Sequence, residues 1–126
     1  MIREAMVDDA PAMDALRCAQ IAREKWHARQ LPAVAASWLV REVGDFISGA
    51  IAYSVGTDAF FVLELWVADG LCGYRAAVEL CYHVEALARE LNLPVHFEVA
   101  MENEAFQNAV EAAGYEPISL HYRLGG

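Results

Sequence analysis

A chain of 126 residues, with 18 acidic against 9 basic side chains and a formal net charge of −9, is sized for one domain spanning 1–126 and lacks the basic face that nucleic-acid phosphates require. It has no unbroken apolar run of about eighteen residues and no basic-then-apolar leader, so a soluble cytoplasmic protein without a membrane span is expected. Cys18, Cys72 and Cys81 give an odd count with no CxxC spacing, which argues for free thiols and against a disulfide framework or a metal site.

In chain order, Ile2 to Met6 alternates as a short first strand. Asp8 or Asp9 is a helix N-cap with Pro11 in the opening turn, and the helix runs to about Lys25 on a stripe of Ala12, Ala15, Leu16, Ala19, Ala22 and Trp26. Pro32 interrupts the chain, and Ala33 to Ala36 reads as a short helix or a packed loop. Trp38 to Val43 and Phe46 to Val55 are rich in β-branched and aromatic residues around Gly44 and Asp45, a hairpin signature.

Gly56, Thr57 and Asp58 lead into a further antiparallel strand, Ala59 to Val67, apolar from Phe60 onward except at Glu64 and therefore suited to a sheet centre covered on both faces. After Asp69, Gly70 and Gly73, the positions Leu80, Val84, Leu87, Ala88 and Leu91 trace one face of a helix, ended by Asn92 and Pro94. Val95 to Val99 is the next strand, reached by a right-handed βαβ crossover and so parallel to the strand that begins at Ala59. Asn103 caps a second helix to about Ala113, Gly114 ends it, and Tyr115 to Leu124 is a last strand with Pro117 at a break.

This order and several strings resemble the GNAT superfamily of N-acyltransferases over essentially the whole chain. IREAMVDDAPAMDAL is similar to the family's opening strand and helix, VREVGDFISGAIAY to its second and third strands with Gly49 at a customary glycine, LELWV to its fourth strand, and NEAFQNAVEAAGYEP to its late helix and following strand. The resemblance implies an α/β (α+β) fold: one mixed, mostly antiparallel sheet with helices on both faces and a central βαβ crossover. It implies acetyl or acyl transfer from acyl-CoA to a small-molecule or protein amine, with acetyl-CoA as cosubstrate. The pantetheine then pairs with the backbone of Leu65, Trp66 and Val67 where the fourth and fifth strands part. The pyrophosphate rests on the turn carrying Cys72, Gly73, Tyr74, Arg75, Ala76 and Ala77, and Asn103 joins the cofactor-binding set. The family's turn has Arg or Gln, two spacers, Gly, one spacer, then Gly or Ala. One alignment puts Cys72, Arg75 and Ala77 there and another puts Gly70, Gly73 and Arg75. The other reading is a catalytically inactive GNAT-like module, viral or part of an assembly, and homo-oligomer formation stays open.

The chemistry of acyl transfer to an amine asks for a base, and Glu64 is the candidate, since burial in an apolar strand raises a carboxylate pKa. The competing reading is a carboxylate on a solvent-facing side of the sheet. Arg75 either binds an anion in place of the absent glycine or pairs with Glu79 four residues on. The family's leaving-group tyrosine lies seven residues after the late helix's asparagine, where this chain has Val110; Tyr115 reads as a core aromatic. His27, His83, His96 and His121 form no ligand pattern, and Trp26, His27 and Trp38 flank the region that in the family lines the acceptor pocket.

Overall fold

The computed structural model describes residues 1–24, 36–98, 104–112 and 114–115. The expected segment at 33–35, the end of the fifth strand at Val99, the Asn103 cap and the last strand beyond Tyr115 lie outside the described residues. Five strands form one sheet in the order β1-β2-β3-β4-β5: β1 (Ile2–Glu4), β2 (Ser37–Val43), β3 (Phe46–Val55), β4 (Phe60–Val67) and β5 (Val95–Phe97). Each neighbour is antiparallel except β4 and β5, which are parallel because helix α2 (Gly70–Glu90) carries the chain back across the sheet. The expected hairpin and βαβ crossover are both present.

The helices divide between the two faces, and each face has its own core. On one, α2 sets Ala76, Leu80 and Val84 against Ile51, Phe60, Val62 and Leu65, with Phe106 of α3 (Glu104–Ala112) added. On the other, α1 (Ala10–Glu24) sets Leu16 against Val40, Ala50 and Trp66. Gly49 of β3 lies where α2 crosses closest: a Cβ there would meet Ala76 Cβ at 2.9 Å and Leu80 Cδ1 at 3.0 Å.

Two helix assignments differ from the sequence expectation. The buried line of α1 runs through Met13, Leu16 and Gln20, while Ala15, Ala19 and Ala22 are exposed. Alanines are too small to fix a helix phase, so the larger side chains set it. Helix α2 begins at Gly70, before Gly73 rather than after it. Its cap is Asp69, extended at φ −71 and ψ 154, whose side chain accepts the Gly70 N–H. Gly70 itself sits at φ +75, a backbone region open to glycine, and swings the chain from β4 into the helix. At the other end Asn92 has φ 56, the left-handed conformation expected of a residue just past a helix.

Asp9 does not cap α1 directly. It closes a 3-10 turn, Val7–Asp9, and its carboxylate accepts the Met6 N–H at 2.7 Å. Arg3 holds it with two further bonds, Nη1 to Oδ2 at 2.7 Å and Nη2 to Oδ1 at 3.0 Å, and gives its Nε to Glu42 at 2.8 Å. The Arg3 bonds, then the Met6 amide, lower the Asp9 pKa from 3.8 to about 2. A depressed carboxylate pKa stabilises the fold above the unfolded value and loses that contribution as pH falls through the folded one. Urea denaturation is therefore expected to show wild-type stability declining between pH 3.8 and about 2. In Asp9→Asn that part of the decline disappears.

Candidate active site

The site is built on β4, where two things happen within three residues. Among the described residues, β5 pairs with β4 at Phe60, Phe61 and Val62, and Glu98 N donates to Val62 O at 2.9 Å. Next to that point the β3 register jumps from Tyr53↔Val62 to Ala52↔Glu64, leaving Leu63 as the extra residue of a β-bulge. Phe60 and Val62 face the α2 core, so strict alternation would send Glu64 into it as well. The bulge reverses the parity: Leu65 and Val67 take the core side, while Glu64 and Trp66 turn to the α1 face.

Glu64 thereby enters a cleft of about 310 Å³ lined by Met13, Asp14 and Arg17 of α1, Trp38 of β2 and Trp66. It is half-buried, and its Oε1 accepts the Trp66 Nε1–H at 3.0 Å. Burial raises its pKa; the Trp66 bond and the Arg17 charge oppose that shift without cancelling it. The Arg17 guanidinium carbon stands 5.8 Å from the centre of the Trp66 ring. Such a cleft combines aromatic walls with a carboxylate whose affinity for a proton is enhanced. It suits holding an amine and taking a proton from it.

Past the bulge, β4 presents its other edge. Ala68 N–H donates to Ser48 O at 2.9 Å, so the backbone groups of Val67 point away from β3. Both are taken up by α1. Val67 N–H donates to Gln20 Oε1 at 2.9 Å, and Val67 C=O accepts from Arg23 Nη2 at 3.1 Å. Arg23 Nε also lies 3.6 Å from Asp69 Oδ1, the oxygen that caps Gly70. Gln20 is fully buried, although by its residue type it reads as a solvent-facing position. Its spacing of four from Leu16 was the available signal, and sequence reasoning missed it along with Arg23, Met13, Asp14 and Arg17.

The expected cofactor residues fall in three groups. Leu65 and Val67 bury their side chains in the α2-side core and Trp66 in the α1-side core, and the Val67 backbone is bonded to Gln20 and Arg23. Cys72, Gly73, Tyr74, Arg75, Ala76 and Ala77 do not form a turn before a helix; they are already inside α2. Helix geometry commits the N–H groups of residues 74–77 to carbonyls four residues back, so the amides without such partners are those of Gly70, Leu71 and Cys72. Ala76 and Ala77 are core, Cys72 is half-buried, and Tyr74 and Arg75 are exposed. Glu79 pairs with Arg41 of β2, not with Arg75, and Arg41 also bonds the buried Ser48 at 2.9 Å. Among the described residues, Arg75 has no ion pair.

Tyr115 is tied down elsewhere. Its hydroxyl donates to Glu85 of α2, and burial together with that carboxylate raises its pKa. Val110, at the place of the family's tyrosine, packs against the α2-side core. Cys81 is buried there too, and desolvation pushes its thiol up to about 12. Among the described residues, no group of His, Cys, Asp and Glu is arranged to hold a metal ion, and no helix is long and apolar enough to cross a membrane.

Neither a family model nor a curated protein matches the sequence. Solved structures do match the fold. A ribosomal-protein-alanine N-acetyltransferase from Brucella melitensis biovar Abortus superposes with a TM-score of 0.79 at 16% identity, covering 100% of this chain and 99% of that one. An aminoglycoside N-acetyltransferase in complex with CoA gives 0.68 at 16% identity over 100% of both chains. A protein from Clostridium acetobutylicum described as a predicted acetyltransferase, solved with acetyl-CoA, gives 0.67 at 12% identity over 99% of this chain and 95% of that one.

Proposed function

We propose that this chain, which has the fold of the GNAT superfamily, is an N-acyltransferase that moves an acetyl or related acyl group from acyl-CoA directly to an amine. The observation that carries the reading is the position of Glu64, turned by the Leu63 bulge into an aromatic cleft. Binding of CoA or acetyl-CoA by two of the fold's neighbours supports acyl-CoA as the cosubstrate.

The residues present fit such a cosubstrate. The Val67 backbone of β4 points away from β3, the first amides of α2 at 70–72 follow within a few residues, and Arg23 stands beside them. The backbone of Leu65 to Val67 orients the pantetheine, and the amides of residues 70–72 meet the diphosphate, with Arg75 an exposed cation on the next turn. When bound, acyl-CoA supplies a thioester carbonyl open to attack by an amine. Glu64 takes the proton of the incoming ammonium, directly or through water, and the Trp66 indole holds that carboxylate in place. Trp38 and Trp66 exclude water around the amine, and Asp14 adds a second negative charge at the mouth. A small molecule or a protein amine serves as acceptor, in a cytoplasmic setting where Cys18, Cys72 and Cys81 stay free.

One observation favours the second reading, a GNAT-fold module without catalysis. The Asp69 carboxylate, 81% exposed, already caps α2 where a diphosphate would rest. Acetyl-CoA consumption in the presence of primary amines, followed by release of the free thiol, separates the two. Amine-dependent release supports transfer, and its absence with every amine supports the inactive module.

Tyr115 plays no part in this scheme. Tyr115→Phe is expected to lower stability by about 1 kcal/mol through loss of the Glu85 bond, read from the denaturant midpoint, with the transfer rate unchanged.

A further inference from the structure

The backbone of Val67, at the end of β4, faces away from β3 and is not bare. A strand residue whose N–H and C=O turn away from its paired neighbour needs other partners for both when they are buried. At Val67 both partners come from α1 side chains, Gln20 on the N–H at 2.9 Å and Arg23 on the C=O at 3.1 Å. Gln20 is completely buried and sits one turn after Leu16, where an apolar side chain would complete the α1 core. A glutamine at such a position is tolerated because it satisfies the strand, and packing alone gives no reason for it. Arg23 extends the arrangement, since its guanidinium also faces the Asp69 carboxylate that caps α2. Thus two neighbouring turns of α1 cover the edge of β4 and the first amide of α2 together.

We propose that α1 gates the cosubstrate site: Gln20 and Arg23 hold the Val67 backbone in the unliganded chain, and they release it when the amide-bearing arm of acyl-CoA pairs with β4. The proposal rests on acyl-CoA being the cosubstrate. Its physical content is an exchange of hydrogen bonds. The ligand gains Val67 only as Gln20 gives it up, so the apparent affinity is reduced by the fraction of molecules in which the edge is open. Arg23, freed from Val67 by the same event, remains next to the start of α2 as a counter-charge for the diphosphate.

Calorimetric titration of the full chain with coenzyme A tests this. Gln20→Met keeps the side-chain volume and removes the acceptor. Its dissociation constant for coenzyme A is expected to fall about two- to tenfold below that of wild type, the equivalent of one hydrogen bond. Equal or weaker binding by a folded Gln20→Met protein overturns the gate and leaves the acyl-CoA reading standing. Absence of binding by both proteins at millimolar coenzyme A removes that reading, and the gate with it. The wild type supplies a second measurement that needs no variant. The nitrogen-15 signals of the Gln20 side-chain amide and the Val67 backbone amide are expected to move together on saturation with coenzyme A. Binding that leaves the Gln20 side-chain signals unmoved overturns the gate.

Discussion

Glu64→Gln is expected to slow acyl transfer about a hundred- to ten-thousand-fold while leaving acyl-CoA binding in place. The amide keeps the size of the side chain and an oxygen for the Trp66 indole but cannot take a proton. The pH profile carries the sign. A base works only when ionised, so the wild-type rate falls as pH drops through the raised Glu64 pKa, and the residual rate of the variant lacks that fall. Stability moves the other way. A carboxylate whose pKa is raised in the fold contributes stability below its unfolded pKa and loses it as pH rises through the folded one. At neutral pH the ionised Glu64 is therefore a cost, and Glu64→Gln is expected to melt at or above the wild-type temperature, with the advantage gone in acid. A slow enzyme that is no less stable separates lost chemistry from lost folding. A variant with wild-type turnover would remove Glu64 from the mechanism.

Gly73→Ala has the largest expected effect on the fold. A Cβ at residue 73 would lie 1.6 Å from Ala68 O and 2.6 Å from Ala68 C, and both obstacles are backbone. No side-chain rotation relieves that contact, so the junction between β4 and α2 must move. We expect a loss of about 3 kcal/mol or more, with a fall in melting temperature of roughly 10 °C or more. Here the glycine serves the chain's own Ala68 carbonyl. In the sequence it could equally be taken for the glycine of a phosphate-binding turn. A Gly73→Ala protein that melts with wild type would mean the close approach does not exist in solution.

What the sequence made legible follows from pattern strength. The β2–β3 hairpin is marked by two β-rich runs around Gly44 and Asp45, and the parallel β4–β5 pair follows from a helix of more than four turns between two strands. Glu64 stands out as the one charge in an apolar run. The Leu63 bulge does not, because a run apolar at nearly every position has no alternation in which a parity change could be seen. The start of α2 was misplaced because Gly70 and Gly73 read as a turn, whereas one permits the sharp entry and the other permits close packing. Gln20 and Arg23 were missed for a related reason, although the spacing of Gln20 from Leu16 pointed to burial. Polar residues on a helix are read as solvent-facing, and their partner here is strand backbone, which leaves no trace in residue type.

Acyl-CoA binding is the step on which every functional statement depends, and calorimetric titration of the wild-type chain with acetyl-CoA measures it most directly. The predicted result is saturable binding to a single site per chain, competed by coenzyme A. No detectable heat at millimolar acetyl-CoA, from protein that melts cooperatively, would contradict it.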